Sequence, residues 1–171
     1  MKKIILIILI FIAHCSVAQK EMTTASGSIS FEASVPLYED VAATNKTVSC
    51  VLNIKSGALS SEVQMKDFRF KLSLMEEHFN KKYLETDHFP QATFKGTIDD
   101  SPKEFKLKGE LKIHGKTKKI NTTITLKKVV NKLEMVSNFK VNTKDFNIKI
   151  PEILSMKVAE TVTIQTAFWV Q

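Results

Sequence analysis

A two-residue rhythm of apolar and polar side chains, short polar links between the rhythmic stretches, and a single stretch of helical spacing predict an all-β fold. The expectation is an eight-stranded antiparallel β-barrel with one helical insertion at about 72–85. Alternation on nearly every strand gives each one dry face and one wet face. Closing the sheet provides that environment to every strand and removes the edges.

The first residues stand outside this pattern. Lys2 and Lys3, the apolar run Ile4 to Ala13, and the small residues Ser16, Val17 and Ala18 read as a secretory signal peptide over residues 1–18. The apolar run is too short to span a bilayer, and cleavage is expected after Ala18. A lipid-bearing Cys15 is the alternative, but His14 stands where such processing wants a small residue. Residues 19–171 are expected to form one domain, located in the periplasm or outside the cell. Removing 18 residues from 171 leaves 153, a length that suits one core or one hollow barrel.

The strands follow in order. Ile29, Phe31, Ala33 and Val35 share a face, as do Val48, Cys50, Leu52 and Ile54, and then Leu59, Ser61, Val63 and Met65. At Lys66 and Asp67 the phase slips to Phe68, Phe70 and Leu72, which predicts a bulge or a strand end. The helix comes next. Ser73 and Glu76 have capping-box spacing, and Leu72, Met75, Phe79 and Tyr83 form an apolar stripe that ends before Pro90. Strands resume with Ala92 to Ile98, then turn at Asp99 to Pro102. Further rows run from Phe105 to Ile113, Ile120 to Leu126, Leu133 to Val141 and Val162 to Val170. The eight strands are placed near 27–35, 47–55, 58–66, 92–98, 104–114, 118–130, 132–142 and 158–170. The stretch from Asp145 to Ser155 keeps no rhythm and reads as a loop with a short strand or turn.

Charge excludes some functions. The formal net charge is +7, and loss of Lys2 and Lys3 with the leader lowers it to +5. The excess is carried by lysine, with Arg69 the one arginine. Bidentate phosphate recognition relies on arginine, so a nucleic-acid partner is not expected. Without Cys15 the remaining Cys50 has no disulfide partner, and its phase marks it as a small buried hydrophobe.

The inward rows carry the functional expectation. Small or polar residues (Ala33, Ser61, Ala92, Gly96, Gly109, Thr122, Ser137 and Thr166) recur among the large apolar ones. They either leave volume for a ligand or mark bends and tapers in a filled barrel, and composition alone leaves both readings open. Catalytic signatures are missing from the sequence. His78, His88 and His114 lack zinc-ligand spacing, and the pairs Glu76–Glu77 and Asp99–Asp100 fit helix-surface and turn positions. Glu160 falls in phase with an apolar row, where it needs a lysine partner or a place in water at the barrel mouth. Asn45-Lys46-Thr47 and Asn121-Thr122-Thr123 match the glycosylation triplet, a pattern common by chance.

Two stretches carry a resemblance. Leu74 to Gly96, with its helix, polar link and Phe89-Pro90-Gln91-Ala92-Thr93-Phe94-Lys95-Gly96 strand start, resembles the YceI-like family. Gly109-Glu110-Leu111-Lys112-Ile113-His114-Gly115-Lys116-Thr117-Lys118 is similar to the family's G-x-L-x-I-x-G-x-T-K hairpin. The chain departs from the family at Ser28-Ile29-Ser30-Phe31, which lacks a following His. It departs again at Lys144-Asp145-Phe146-Asn147-Ile148, which lacks the family's Arg and Gly. The resemblance implies a lipocalin-like barrel holding a polyisoprenoid chain, such as a prenyl lipid or isoprenoid quinone, with no catalytic residues. Phe31, Leu52, Met65, Phe68, Phe70, Met75, Phe79, Phe94, Phe139 and Phe168 are the candidate ligand-binding residues. No metal and no cofactor beyond the bound isoprenoid itself are expected, and the expected partners are an apolar lipid and, transiently, a membrane. The competing expectation is a filled barrel that serves as a stress-response or protein-interaction module without a ligand.

Overall fold

The computed structural model describes residues 21–100, 104–154 and 156–171. The expected leader over residues 1–18, with Cys15, lies outside the described residues, as does part of the expected Asp99–Pro102 turn. Among the described residues ten strands form one sheet. They are β1 (Glu21–Ser34), β2 (Ala42–Asn45), β3 (Val48–Asn53), β4 (Ala58–Gln64), β5 (Arg69–Phe70), β6 (Gln91–Asp100), β7 (Phe105–Ile113), β8 (Lys116–Val129), β9 (Lys132–Asn142) and β10 (Val158–Val170). Eight of them close an antiparallel barrel in the order β1-β3-β4-β6-β7-β8-β9-β10, and β10 returns to pair with β1. These are the eight strands the alternation predicts. The short strands β2 and β5 are additional: β2 pairs with Ile29–Glu32 of β1, and β5 pairs with β2.

Two polar side chains explain why the second wall is broken into β2 and β3. Asn45 is fully buried at the corner. Its amide donates to the Gln64 carbonyl (2.8 Å), while its side-chain oxygen accepts from the Thr47 N–H (2.7 Å) and hydroxyl (2.8 Å). Both polar side-chain atoms of Asn45 are thereby partnered, as burial demands. The same engagement leaves Asn45 no role as a sugar acceptor in the folded chain. Where β1 passes from β3 to β2, the Thr24 hydroxyl accepts from the Cys50 N–H and donates to the Cys50 carbonyl, standing in for a ladder pair.

The expected phase slip at Lys66 and Asp67 is a strand end. β4 stops at Gln64, and a 3₁₀ turn at Met65–Asp67 leads into β5. The helix α1 (Ser73–His78) follows and widens into a π turn at Phe79–Tyr83. The expected capping box does not form. Leu72 is the residue before the helix, no side chain caps it, and Ser73 is already inside the first turn. Glu76 reaches elsewhere, to the Arg69 guanidinium (3.0 Å) and the Phe70 N–H (3.3 Å), so a charged partner outcompetes the local cap. Pro90 lies past the end of this segment, before β6 begins.

The two hairpin turns on either side of β8 use left-handed backbone. His114 and Gly115 have φ values of 49° and 73°, as a two-residue turn matched to strand twist requires. Asn147, standing where the family pattern has Gly, is left-handed as well (φ 56°), a conformation Asn tolerates.

Candidate ligand-binding site

A packed layer divides the barrel interior. Cys50, Leu52, Met135 and Val170 are buried and pack together in it. Burial among these apolar neighbours pushes the Cys50 thiol up to about 12, which keeps it protonated. Beyond this layer lies a cavity of about 540 Å³, within the range of small-molecule sites. Its wall is built from inward rows of the barrel strands, such as Leu59 and Val63 of β4, Leu107 and Leu111 of β7, and Ile164 of β10.

Three segments frame the mouth: the β1–β2 loop with Tyr38 and Glu39, the α1 region with Leu72, Leu74 and His78, and the β9–β10 link with Leu154 and Lys157. An aromatic cluster fastens the α1 region to the barrel. Phe31 of β1 stands 5.5 Å from Phe68, 5.7 Å from Phe70 and 5.5 Å from Phe79, measured between ring centroids. Phe79 meets Phe68 at 5.8 Å and Phe70 at 5.1 Å. Phe31 and Phe79 stack at an interplanar angle of 17°, and the other pairs are tilted or edge-to-face, all at spacings that suit ring pairs.

Nine of the ten candidate residues, namely Phe31, Met65, Phe68, Phe70, Met75, Phe79, Phe94, Phe139 and Phe168, line this one cavity. Leu52 does not. It faces the hollow at the opposite end, with Ile98, Phe105 and Leu133. An inward row tells which face a residue takes but not how deep it sits.

The small residues divide in the same way. Ala33, Ser61, Ala92, Ser137 and Thr166 border the cavity, whereas Gly96, Gly109 and Thr122 do not. Gly96 and Gly109 are partners across β6 and β7, and the Phe94 ring lies over both, so the space their missing side chains leave is taken by that ring. They permit close packing and do not enlarge the cavity.

Polar groups in the wall are few. The Ser137 and Thr166 hydroxyls pair with each other at 2.8 Å. Thr143 contributes a hydroxyl from the 3₁₀ turn Thr143–Phe146, which the Asn142 side chain starts by accepting from the Lys144 N–H (2.9 Å). Sequence reasoning missed Thr143, Phe146 and Ile148 as wall residues, because they belong to a stretch with no two-residue rhythm. The Asn142-Thr143-Lys144-Asp145 turn pattern was the available signal.

The titratable groups fall into place around this site. Lys144 bridges Glu160 at 2.7 Å, the lysine partner that an in-phase carboxylate needed. His114 is buried: its Nδ1 meets the Phe146 carbonyl at 3.1 Å, and its Nε2 faces Glu85 at 3.9 Å. His78 lies 3.2 Å from the Lys82 amine, and His88 is exposed. Among the described residues no group of three or more His, Cys, Asp or Glu could hold a metal ion.

The sequence profile of the YceI-like domain matches residues 18–169. The chain belongs to the YceI-like family. No curated protein matches it. Among solved structures it is similar to Burkholderia cenocepacia BcnA, with 17% identity, a TM-score of 0.75, and coverage of 85% of this chain and 96% of that one. It is also similar to a polyisoprenoid binding domain from Saccharophagus degradans implicated in plant cell wall breakdown, with 10% identity, a TM-score of 0.74, and coverage of 88% and 97%. A YceI protein of Campylobacter jejuni matches with 18% identity, a TM-score of 0.63, and coverage of 91% and 92%. At these identities the likeness is one of fold, and the YceI-like barrel is the fold they share.

Proposed function

We propose that this YceI-like barrel is an exported carrier that holds a polyisoprenoid or other long apolar chain, such as an isoprenoid quinone, and does no covalent chemistry. The observation that carries this reading is the cavity of about 540 Å³, walled by aromatic and aliphatic side chains with only a few hydroxyls. A long apolar ligand gains about 25 cal/mol for each Å² it removes from water. A wall of this kind supplies that gain along the whole chain and needs few polar groups to orient one end. The polyisoprenoid binding of the similar Saccharophagus domain supports the same ligand class. A filled module acting through its outer surface has no use for such a cavity.

The mouth supports transient membrane contact. Leu37, Leu72, Leu74, Ile153 and Met156 are exposed, and they come from the three segments that frame it. Apolar tips around an apolar cavity let an insoluble ligand move between a bilayer and the barrel without crossing water. Export follows from the leader over residues 1–18, and the mature chain would begin at Gln19.

The test is to purify the protein from the periplasm or medium of a bacterial host, extract it with organic solvent and identify the extract by mass spectrometry. A prenyl lipid or quinone in near-stoichiometric amount, on a chain whose first residue is Gln19, is the expected result. A lipid-free extract together with no uptake of added isoprenoid would overturn the carrier reading. A lipid-modified Cys15 at the amino terminus would replace the soluble carrier by a tethered one.

A further inference from the structure

Of the hydroxyl-bearing residues that border the cavity (Tyr38, Ser61, Tyr83, Ser137, Thr143 and Thr166), the Ser137–Thr166 pair and Thr143 differ in what they lack. Ser137 and Thr166 sit in the interior rows of β9 and β10, directly paired in the ladder, and each hydroxyl satisfies the other at 2.8 Å. They ask nothing of a ligand. Thr143 is different. It is 9% exposed and borders the cavity, yet its Oγ1 finds no hydrogen-bond partner among the described residues. Its backbone belongs to the 3₁₀ turn, where the Thr143 carbonyl accepts from the Ile148 N–H at 3.1 Å. The hydroxyl itself is left as a buried polar atom without a partner. Such an atom carries a desolvation cost that a matching group on a ligand would remove.

The position matters as much as the chemistry. Thr143 follows the last residue of β9 at the mouth end, whereas the Ser137–Thr166 pair lies further down the barrel toward Met135 and Phe168. The acidic and basic residues that border the cavity, Glu39, His78 and Lys157, belong to the three segments framing the mouth. Away from the mouth the wall thus offers an ionic head group no counter-charge, and near the opening Thr143 brings a hydroxyl that is both buried and unpartnered.

Resting on the carrier reading above, we infer that Thr143 Oγ1 is the head-group anchor of the site. The ligand class it selects is a long apolar chain ending in a neutral oxygen, an alcohol or a carbonyl, held tail-inward. The hydroxyl donates to a carbonyl or accepts from an alcohol. The tail runs past Phe139 toward Phe94 and Phe168, and the oxygen stays beside the 3₁₀ turn. Thr143 is a specificity-determining residue in this scheme, since it discriminates between chains of equal length by what they carry at one end.

The experiment compares two probes of one carbon skeleton: geranylgeraniol, and the hydrocarbon that lacks its hydroxyl. Both are titrated by displacement of a fluorescent apolar dye from the wild type, Thr143→Val and Thr143→Ser. Thr143→Val should weaken geranylgeraniol binding roughly tenfold, the worth of one neutral hydrogen bond made in a dry site, and leave the hydrocarbon unchanged. Thr143→Ser keeps the hydroxyl and should retain most of the alcohol affinity. Ligand-free Thr143→Val should melt higher than the wild type, because a methyl group replaces an unpartnered hydroxyl. Affinity and stability then move in opposite directions, which a packing role would not produce. Equal loss of both probes, or no loss of either, overturns the anchor and leaves the carrier reading standing. Failure of the wild type to bind either probe overturns the carrier reading and the anchor with it.

Discussion

The aromatic cluster makes a quantitative prediction about how the α1 region is held on the barrel. Phe31→Leu keeps an apolar side chain on β1 but deletes three ring pairs at once, to Phe68, Phe70 and Phe79, with centroids 5.5–5.7 Å apart. Each pair contributes about 0.5–1.5 kcal/mol beyond its buried area, and neighbouring pairs overlap, so a combined loss of about 2 kcal/mol is expected. The Phe68–Phe79 and Phe70–Phe79 pairs remain, so the segment stays folded while its attachment weakens. A loss of 2 kcal/mol corresponds to an about 30-fold larger population of states with the segment detached. Native-state hydrogen exchange reads this at the helical amides, for example Leu84 N–H, which donates to the Phe79 carbonyl at 2.9 Å. Detachment and global unfolding both break the same ring pairs, so the α1-region amides and the slowest amides of β7 and β8 should accelerate by a similar factor. If the β7 and β8 amides accelerate while the α1-region amides keep their wild-type rates, the ring cluster does not hold the segment, and its contribution belongs to the barrel wall alone.

Three further outcomes are expected. Ser137→Phe places a ring in the cavity; its burial contributes roughly 1.5–3 kcal/mol and offsets the cost of about 1–3 kcal/mol for leaving the Thr166 hydroxyl unpaired. Its melting temperature should stay within a few degrees of wild type while prenyl-chain retention falls, and a variant that unfolds outright would mean the space is not there. Gly96→Ala should be far worse tolerated, because its new Cβ would press into the Lys108 carbonyl and sit 2.8 Å from both Gly109 Cα and Phe94 Cζ. A cost of about 3 kcal/mol, read as a fall of roughly 6–12 °C in Tm, is expected, and an unchanged Tm would contradict the close β6–β7 approach. The Cys50 thiol, pushed up to about 12 by burial, should resist alkylating reagents at pH 8 until the protein is denatured. Its folded value lies above the ordinary 9.0, so its contribution to stability is complete below pH 9 and is lost as pH rises toward 12; Cys50→Ala should not show that loss.

The barrel was legible because a period of two is written directly into rows such as Leu133, Met135, Ser137, Phe139 and Val141. What the rows do not carry is depth along the barrel and identity of the neighbour across the ladder. Leu52 has the right phase and the wrong end. Gly96 looks like free volume until its partner is seen to be Gly109 with the Phe94 ring over both. The capping box failed for a related reason: Ser73 and Glu76 have the right spacing, but Arg69 and the Phe70 amide, brought close by the β5 turn, hold Glu76 instead. Thr143 escaped notice because a 3₁₀ turn has no periodic signature, although its buried hydroxyl is the most informative polar atom in the wall. Local patterns gave the faces, and contacts between segments distant in sequence decided what each face encloses.

The pairing that closes the sheet has a kinetic consequence. Residues 24–34 of β1 meet residues 158–170 of β10, so more than 120 residues separate every pair of partners along that seam. Contacts of such long sequence separation form slowly, because the entropy of closing the loop is lost before any pair is gained. During synthesis the ladder from β1 to β9 can zip by near neighbours, but the β10-facing edge of β1 stays open until the final strand emerges. A growing chain is thus kept from completing its native form until its last strand is made. The same delay leaves two strand edges open to other chains, so shortening the chain within β10 should yield aggregation in place of a slightly weaker barrel.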